Sequence, residues 1–283
     1  MIEVLRTGPL TTVQDLGRPG WAHLGVGRSG AADRPSLRLA NRLVGNPENA
    51  AALETTFGGL SVRLLDAATI AVTGAPVPVT VDGRIRDTNA PLDLAAGSVV
   101  ELGLPTAGVR SYLAVRGGVA VPDVLGSRST DLLAQLGPDR LSAGDGIPIG
   151  APTGDRPGVD HAPVRPLPAD PVLHVLPGPR ADWFTPEAMA TLGSATYEVS
   201  SQSDRVGARL TGPALERSRS GELLSEGLVE GAVQVPADGQ PVVFLADHPV
   251  TGGYPVIAVV HPADVPLAAQ ARPGQRVRFR VDR

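Results

Sequence analysis

The chain has no cysteine among its 283 residues, which excludes disulfides, zinc–thiolate sites and thiol nucleophiles. It also has no lysine: all 25 basic residues are arginine. A chain without a side-chain amine cannot carry biotin on lysine, form a Schiff base, or grip a nucleotide phosphate through a P-loop lysine. Aromatic residues are scarce, with four Phe, three Tyr and two Trp, too few for a stacking platform for nucleic acid. A formal net charge of −4 also argues against a polyanionic partner. No uninterrupted apolar run reaches the length of a bilayer span, and MIEVLRTGPL has neither the charge nor the apolar core of a signal peptide. The expectation is a cytoplasmic protein.

Hydrophobic residues make up 42% of the chain, and 34 glycines and 28 prolines are scattered between short apolar runs, the punctuation expected of many strands and turns. Strands are expected at Ile2–Leu5, around residues 61–65, 69–73, 77–81 and 98–102, and from Tyr112 to Arg116. Residues 11–33 read as a long Gly-rich loop holding Gln14, Asp15, Arg18, His23 and Arg28. Asp33 is a helix N-cap, with Pro35 in the first turn of a helix that runs to about Val44 and is stopped by Gly45 and Pro47. Six prolines between Ala151 and Pro171 mark a linker. Beyond it come strands near residues 172–176, 196–200, 208–210, 256–261 and 276–281, and a helix capped by Thr185 with Pro186 at its first position. The organisation expected is mainly β: a β-barrel-like domain over 1–155, a Pro-rich linker over 156–171 and a second β-barrel-like domain over 172–283. Alternating βα units are absent, so a dinucleotide-binding fold is not expected.

No P-loop, H-E-x-x-H, nucleophile elbow or paired His/Cys metal pattern occurs, and no metal is expected. The richest stretch is GAVQVPADGQPVVFLADHPVTGGYP, from Gly231 to Pro255. An apolar strand through Val242–Ala246 delivers Asp247, His248, Thr251, Gly252, Gly253 and Tyr254, read as gathered at one edge. Gly-Gly can turn backbone N–H groups toward an anion, although TGGYP is equally a hairpin signature. Asp204-Arg205 pairs a carboxylate with a guanidinium able to clamp an anion with two prongs, or to sit on the surface as a solvated pair. Arg116 and Arg128 carry the same two readings, and Gln14-Asp15 and Glu54 are read either as acid/base or hydrogen-bonding groups or as turn or cap residues.

The motifs TVQDLGRPGWAHLGVGRSGAAD, LETTFGG, YLAVRGG, LGSRSTD, VLPGP, SSQSDRVGARLTG, GAVQVPADGQPVV, TGGYPVIAVV and ARPGQRVRF, in this order over nearly the whole chain, resemble the KipA-like family. It is also called allophanate hydrolase subunit 2 or the biotin-dependent carboxyltransferase-like family. The resemblance implies cyclophilin-like β-barrels. It also implies one component of a bacterial ATP-dependent 5-oxoprolinase, acting with KipI-like and LamB/YcsF-like chains to open 5-oxo-L-proline to glutamate. Two alternatives accompany it: carboxyl transfer from biotin to urea or a related amide, with the biotin on another chain, and a regulatory role as partner of a KipI-like kinase inhibitor. No cofactor is expected on this chain alone, with ATP used by the complex. By residue chemistry, Arg116, Arg128 and Arg205 are candidates for binding anionic substrate groups, and Asp15, Asp204, Asp247 and His248 for handling protons. Gln234 and Tyr254 are candidates for orienting the amide, with Thr251, Gly252 and Gly253 beside them. On this reading Arg205→Ala abolishes activity of the complex without unfolding the chain.

Overall fold

A computed structural model describes residues 1–155, 157–221 and 223–282; Arg156, at the start of the expected linker, lies outside the described residues. The chain divides into two compact units. The first holds residues 1–18, 29–131 and 135–166; the second holds 19–28, 132–134 and 167–283. The division therefore falls inside the Pro-rich stretch. Two short segments from the N-terminal half group with the second unit. The front of that stretch is not free: Val159 and Ala162 pack on an apolar cluster of the first unit, and Ala162 N–H donates to Asn89 O at 2.8 Å.

The first unit contains a six-stranded and a five-stranded sheet. The strand Arg110–Val115, at the centre of the five-stranded sheet, shows how sequence sets the layers. It is buried on both faces. Alternation sends Leu113 and Val115 into the core shared with the six-stranded sheet, where they meet Val4, Leu53, Val62 and Leu102. Tyr112 and Ala114 take the other face, under the helix Arg34–Leu43. Ala52 and Ala71 occupy that same face on the two neighbouring strands, so small side chains make room for Leu37, Ala40 and Leu43 of the helix. The helix begins as expected: Asp33 caps it, accepting from Ser36 N–H at 3.1 Å, and Gly45 just beyond it takes φ +72°. At Phe57-Gly58-Gly59, glycine is required sterically: a Cβ on Gly58 would lie 1.9 Å from Gly103 O, with φ at +65°.

The expected 11–33 loop is partly a strand. Leu10–Gln14 forms the edge of the five-stranded sheet, paired with Ala52–Thr56. Its polar Thr12 and Gln14 are buried, and Gln14 Nε2 donates to Thr12 Oγ1 at 3.0 Å and to Thr130 O at 2.9 Å. Buried polar side chains held by hydrogen bonds through Gln14 Nε2 hide the apolar alternation by which a strand is recognised, although Gln14 Oε1 has no partner among the described residues.

The second unit is a closed seven-stranded barrel in the order Val172–Pro177, Val256–Val260, Ala232–Gln234, Val242–Phe244, Gly207–Thr211, Thr196–Val199, Arg276–Val281. Parallel pairing of the last strand with the first closes it, and closure removes exposed strand edges. The helix Pro186–Ser194 is capped by Thr185, which accepts from Ala188 N–H at 3.1 Å. No helix among the described residues is long and apolar enough to cross a membrane.

Tyr197 lies in the barrel interior, fully buried, its ring edge-on to Phe279 with centroids 5.8 Å apart. Among the described residues its hydroxyl has no hydrogen-bond partner, and burial pushes its pKa up to about 12. A buried hydroxyl without a partner is a cost, so Tyr197→Phe should leave stability at pH 7 unchanged or raise it by about 1 kcal/mol. Above pH ~10 the unfolded tyrosine ionises while the folded one resists. The wild type then loses stability as pH rises from ~10 toward the folded value, and the advantage of Tyr197→Phe should grow by roughly 3 kcal/mol over two pH units. Urea unfolding at pH 7 and at alkaline pH checks both halves of this prediction.

Candidate functional site

In the barrel, the antiparallel pairing of Gly207–Thr211 with Val242–Phe244 sets Gly207 opposite Phe244. The residues just before the one strand and just after the other therefore meet. Leu245 N–H donates to Val206 O at 2.9 Å and Asp247 N–H to Arg205 O at 3.0 Å. The side chains then close a two-pronged ion pair, with Arg205 Nε 2.9 Å from Asp247 Oδ2 and Nη2 3.0 Å from Oδ1. Both residues are buried, Arg205 at 2% and Asp247 at 1% exposure. Leu132, on the short segment that groups with this unit, donates its N–H to Asp247 Oδ2 at 3.3 Å. The two candidates are thus each other's partners, and Asp247 already holds the Nε–Nη2 edge of Arg205. Asp204, exposed, turns Oδ1 back to Val206 N–H at 2.8 Å and Gly207 N–H at 3.0 Å, closing the turn before the strand. His248 is half-buried beside Phe244, and its Nδ1 lies 2.8 Å from Pro249 O. A carbonyl can only accept, so Nδ1 carries the hydrogen and Nε2 of the neutral ring is the acceptor.

The rest of the expected cluster lies elsewhere. Gln234 pairs with Val242, at the start of the strand whose far end leads to Asp247. Gln234 Nε2 donates to Tyr254 O at 2.9 Å. Residues 247 and 254 therefore serve opposite ends of the strand Val242–Phe244, which corrects the reading of Gly231–Pro255 as one gathered edge. A tightly paired strand fixes which end each flanking residue occupies, and the segment from His248 to Gly253 runs from one end to the other. Along it Thr251–Gly252 forms a two-residue ribbon with Glu226–Gly227. Gly252 passes so close to Gln234 that a Cβ would lie 2.8 Å from Nε2 and 2.7 Å from Leu228 Cδ1. Here glycine serves close approach.

Gly253 and Tyr254 line a cavity of about 380 Å³ together with Trp183, Arg217, Ala237 and Pro255. The Arg217 guanidinium sits over the Tyr254 ring, 5.8 Å from its centroid. Arg180, near this end, donates through Nε to Glu226 Oε2 at 2.8 Å and through Nη2 to Oε1. Arg217 carries no local signal in the sequence, since ALERSRSG matches no motif, and Arg180 and Trp183 sit just beyond VLPGP, outside that motif. What brings Arg217 here is an isolated bridge between it and Phe184.

In the first unit the candidates are tied to backbone. Asp15 Oδ1 accepts from Ser127 Oγ and Ser129 Oγ, both at 2.6 Å, and from Gly17 N–H at 2.7 Å; Oδ2 accepts from Arg128 N–H at 2.7 Å. This carboxylate holds the loop after Leu10–Gln14 against the loop LGSRSTD. Arg128 spends Nε on Val121 O at 2.7 Å. Arg116 donates to Val44 O at 3.0 Å and to Gly154 O, and lines a separate cleft of about 470 Å³ with Asp66, Thr69 and Asp93. Glu54 and Tyr112 are buried together, Tyr112 Oη donating to Glu54 Oε2 at 2.7 Å.

Residues 24–281 match the family described as carboxyltransferase domain, subdomain A and B. The chain belongs to that family. Among its relatives, a 5-oxoprolinase subunit of Escherichia coli K12 is 42% identical over 99% of this chain and 90% of that protein. The crystal structure of TTHA0988 superposes with a TM-score of 0.90 at 40% identity, covering 98% of this chain and 55% of that one. The urea amidolyase of K. lactis superposes with a TM-score of 0.91 at 32% identity, but this chain spans only 18% of it. The chain is thus a near-complete match to one kind of relative and a fraction of two longer ones.

Proposed function

We propose that the chain is the carboxyltransferase-like component of a heteromeric 5-oxoprolinase that uses ATP to open 5-oxo-L-proline to L-glutamate, in company with KipI-like and LamB/YcsF-like subunits. One observation carries this reading: 42% identity to the 5-oxoprolinase subunit of E. coli extends over 90% of that protein, so the two correspond nearly end to end. The urea amidolyase similarity corresponds to a small part of a much larger chain.

The chemistry of the chain is compatible with such a role. Opening a lactam requires recognition of a flat amide, stabilisation of charge on its oxygen, and a positioned water. Gln234 donates through Nε2 to Tyr254 O and keeps Oε1 as an acceptor for a lactam N–H. His248 and the Arg205–Asp247 pair lie at the other end of the strand from Gln234, so an amide held at Gln234 draws the base for its water from elsewhere, in this chain or in a companion subunit. ATP enters as a co-substrate of the complex, since this chain has no P-loop. A second reading, carboxyl transfer to a urea-like amide, draws on the family's description and on the urea amidolyase superposition. With no lysine in this chain, biotin would have to be carried by another.

The test is glutamate release from 5-oxo-L-proline by this chain co-expressed with KipI-like and LamB/YcsF-like chains, each omitted in turn. Release that needs ATP and all three supports the reading. A soluble, assembled complex that releases none sinks it, and bicarbonate-dependent carboxylation of urea by the chain with a biotinylated partner would replace it.

A further inference from the structure

Three arginines lie near the end of the barrel that Tyr254 serves, and their partners differ. Arg180 is held by Glu226, and Arg219 Nη2 lies 2.8 Å from Asp182 Oδ2. Arg217 has no carboxylate partner among the described residues. It lines the 380 Å³ cavity, gives Nη2 to Val235 O, lies over the Tyr254 ring, and has a buried Nε without a hydrogen-bond partner among the described residues. Nε is buried and Nη2 is spent, so Nη1, which is neither buried nor hydrogen-bonded among the described residues, is the part of this half-buried guanidinium left to meet a ligand. A carboxylate is the group a guanidinium N–H holds best. The other walls are mostly flat or small, Trp183, Tyr254, Ala237, Gly253 and Pro255 among them, with Leu223 adding a branched apolar side chain. They suit a compact ring with an apolar face.

We infer that this cavity binds a small ring-bearing carboxylic acid, with Arg217 as the carboxylate anchor and Trp183 and Tyr254 as its walls. The choice of ring rests on the lactam-opening reading above; the anchoring of a carboxylate by Arg217 rests on the cavity alone. A cavity of this size is at the small end of ligand pockets and matches a small metabolite.

Trp183 lines the cavity and is one of only two tryptophans, so Trp21→Phe leaves it as the sole tryptophan reporter. The full-length Trp21→Phe chain is titrated with 5-oxo-L-proline and with 2-pyrrolidone, the same lactam without its carboxylate. Saturable quenching by the acid, with 2-pyrrolidone weaker by about tenfold or more, is expected if the guanidinium reads the carboxylate. Adding Arg217→Ala should weaken the acid to the level of 2-pyrrolidone and leave 2-pyrrolidone unchanged, with Arg217→Lys between them because it keeps the charge but loses the planar guanidinium that also bonds Val235 O and lies over Tyr254. Equal binding of acid and lactam by the chain with Arg217 intact overturns the inference without relying on a variant that must fold. So does the absence of any saturable signal, or acid binding undiminished in Arg217→Ala. Turnover by the assembled complex is read separately. A complex that opens the lactam with unchanged KM in Arg217→Ala discards the cavity and keeps the 5-oxoprolinase reading. An inactive complex with intact, Arg217-dependent acid binding does the reverse.

Discussion

Asp247→Ala is expected to lower the unfolding free energy by about 3–5 kcal/mol, the cost of leaving a buried guanidinium without its carboxylate. Arg205 is 2% exposed and two of its nitrogens contact Asp247, so no solvent replaces the lost partner. Leu132 N–H loses its acceptor in the same step. Asp247→Asn should fall close behind, since it keeps the shape but not the charge. This burial changes the expectation for Arg205→Ala: the chain should lose stability as well as any contribution to turnover, because a buried carboxylate loses the guanidinium that balances its charge. The double replacement Arg205→Met/Asp247→Leu separates the two effects. Apolar side chains of similar volume often restore or improve on a buried ion pair, so its stability should return to within about 1 kcal/mol of wild type. A double variant that is stable and assembled yet inactive in the complex would give the pair a role in the reaction. One that is stable and fully active would confine it to the fold.

Local signals are legible wherever a residue acts on its immediate neighbours. Asp33 and Thr185 can be read as caps because a cap bonds to the N–H groups two or three positions ahead. The central strand can be read because its apolar run is long enough to be buried on both faces. Signals that depend on distant pairing are not legible. Asp204-Arg205 and Asp247 each stand out alone, but 42 residues separate Arg205 from its partner, and only the register of two barrel strands joins them. The strand Leu10–Gln14 is hidden because Thr12 and Gln14, on the face opposite the buried Val13, are buried as well although polar. Arg217 is invisible for the opposite reason: what marks it is an N–H left without a partner among the described residues, which no sequence pattern records. The stretch from Gly231 to Pro255 is contiguous in the chain, yet a strand within it carries its two flanks to opposite ends.

Glu54→Ala should cost about as much as Asp247→Ala, roughly 3–5 kcal/mol, for a comparable reason in the other unit. Glu54 stands directly across from Tyr112 on paired strands, and both side chains lie under the N-terminal end of the helix Arg34–Leu43. Glu54 Oε2 accepts from Tyr112 Oη at 2.7 Å and from Ala32 N–H at 3.0 Å, while Arg110 Nε lies 3.8 Å from Oε1. Tyr112 Oη in turn accepts from Asp33 N–H at 2.8 Å. One carboxylate therefore anchors the entry to the helix and offsets the buried charge of Arg110, so its removal strands several groups at once. Tyr112→Phe removes one link and leaves the Asp33 N–H without its acceptor, a smaller loss of about 1–3 kcal/mol. The two variants also separate at high pH. Burial, then the negative charges of Glu54 and Asp33, hold the Tyr112 pKa well above that of a free tyrosine. The folded state keeps the proton that the unfolded state gives up, so the contribution of Tyr112 is complete below pH ~10 and drains away as pH rises beyond it. Tyr112→Phe should therefore lose stability less steeply than the wild type above pH ~10, although it starts lower at pH 7. Glu54→Ala keeps the tyrosine but removes one of the charges that resist its ionisation, so its alkaline slope should lie between the two. Urea unfolding of the three proteins at pH 7 and at several points above pH ~10 would show that order, and parallel curves would mean that Tyr112 ionises as freely in the folded chain as in water.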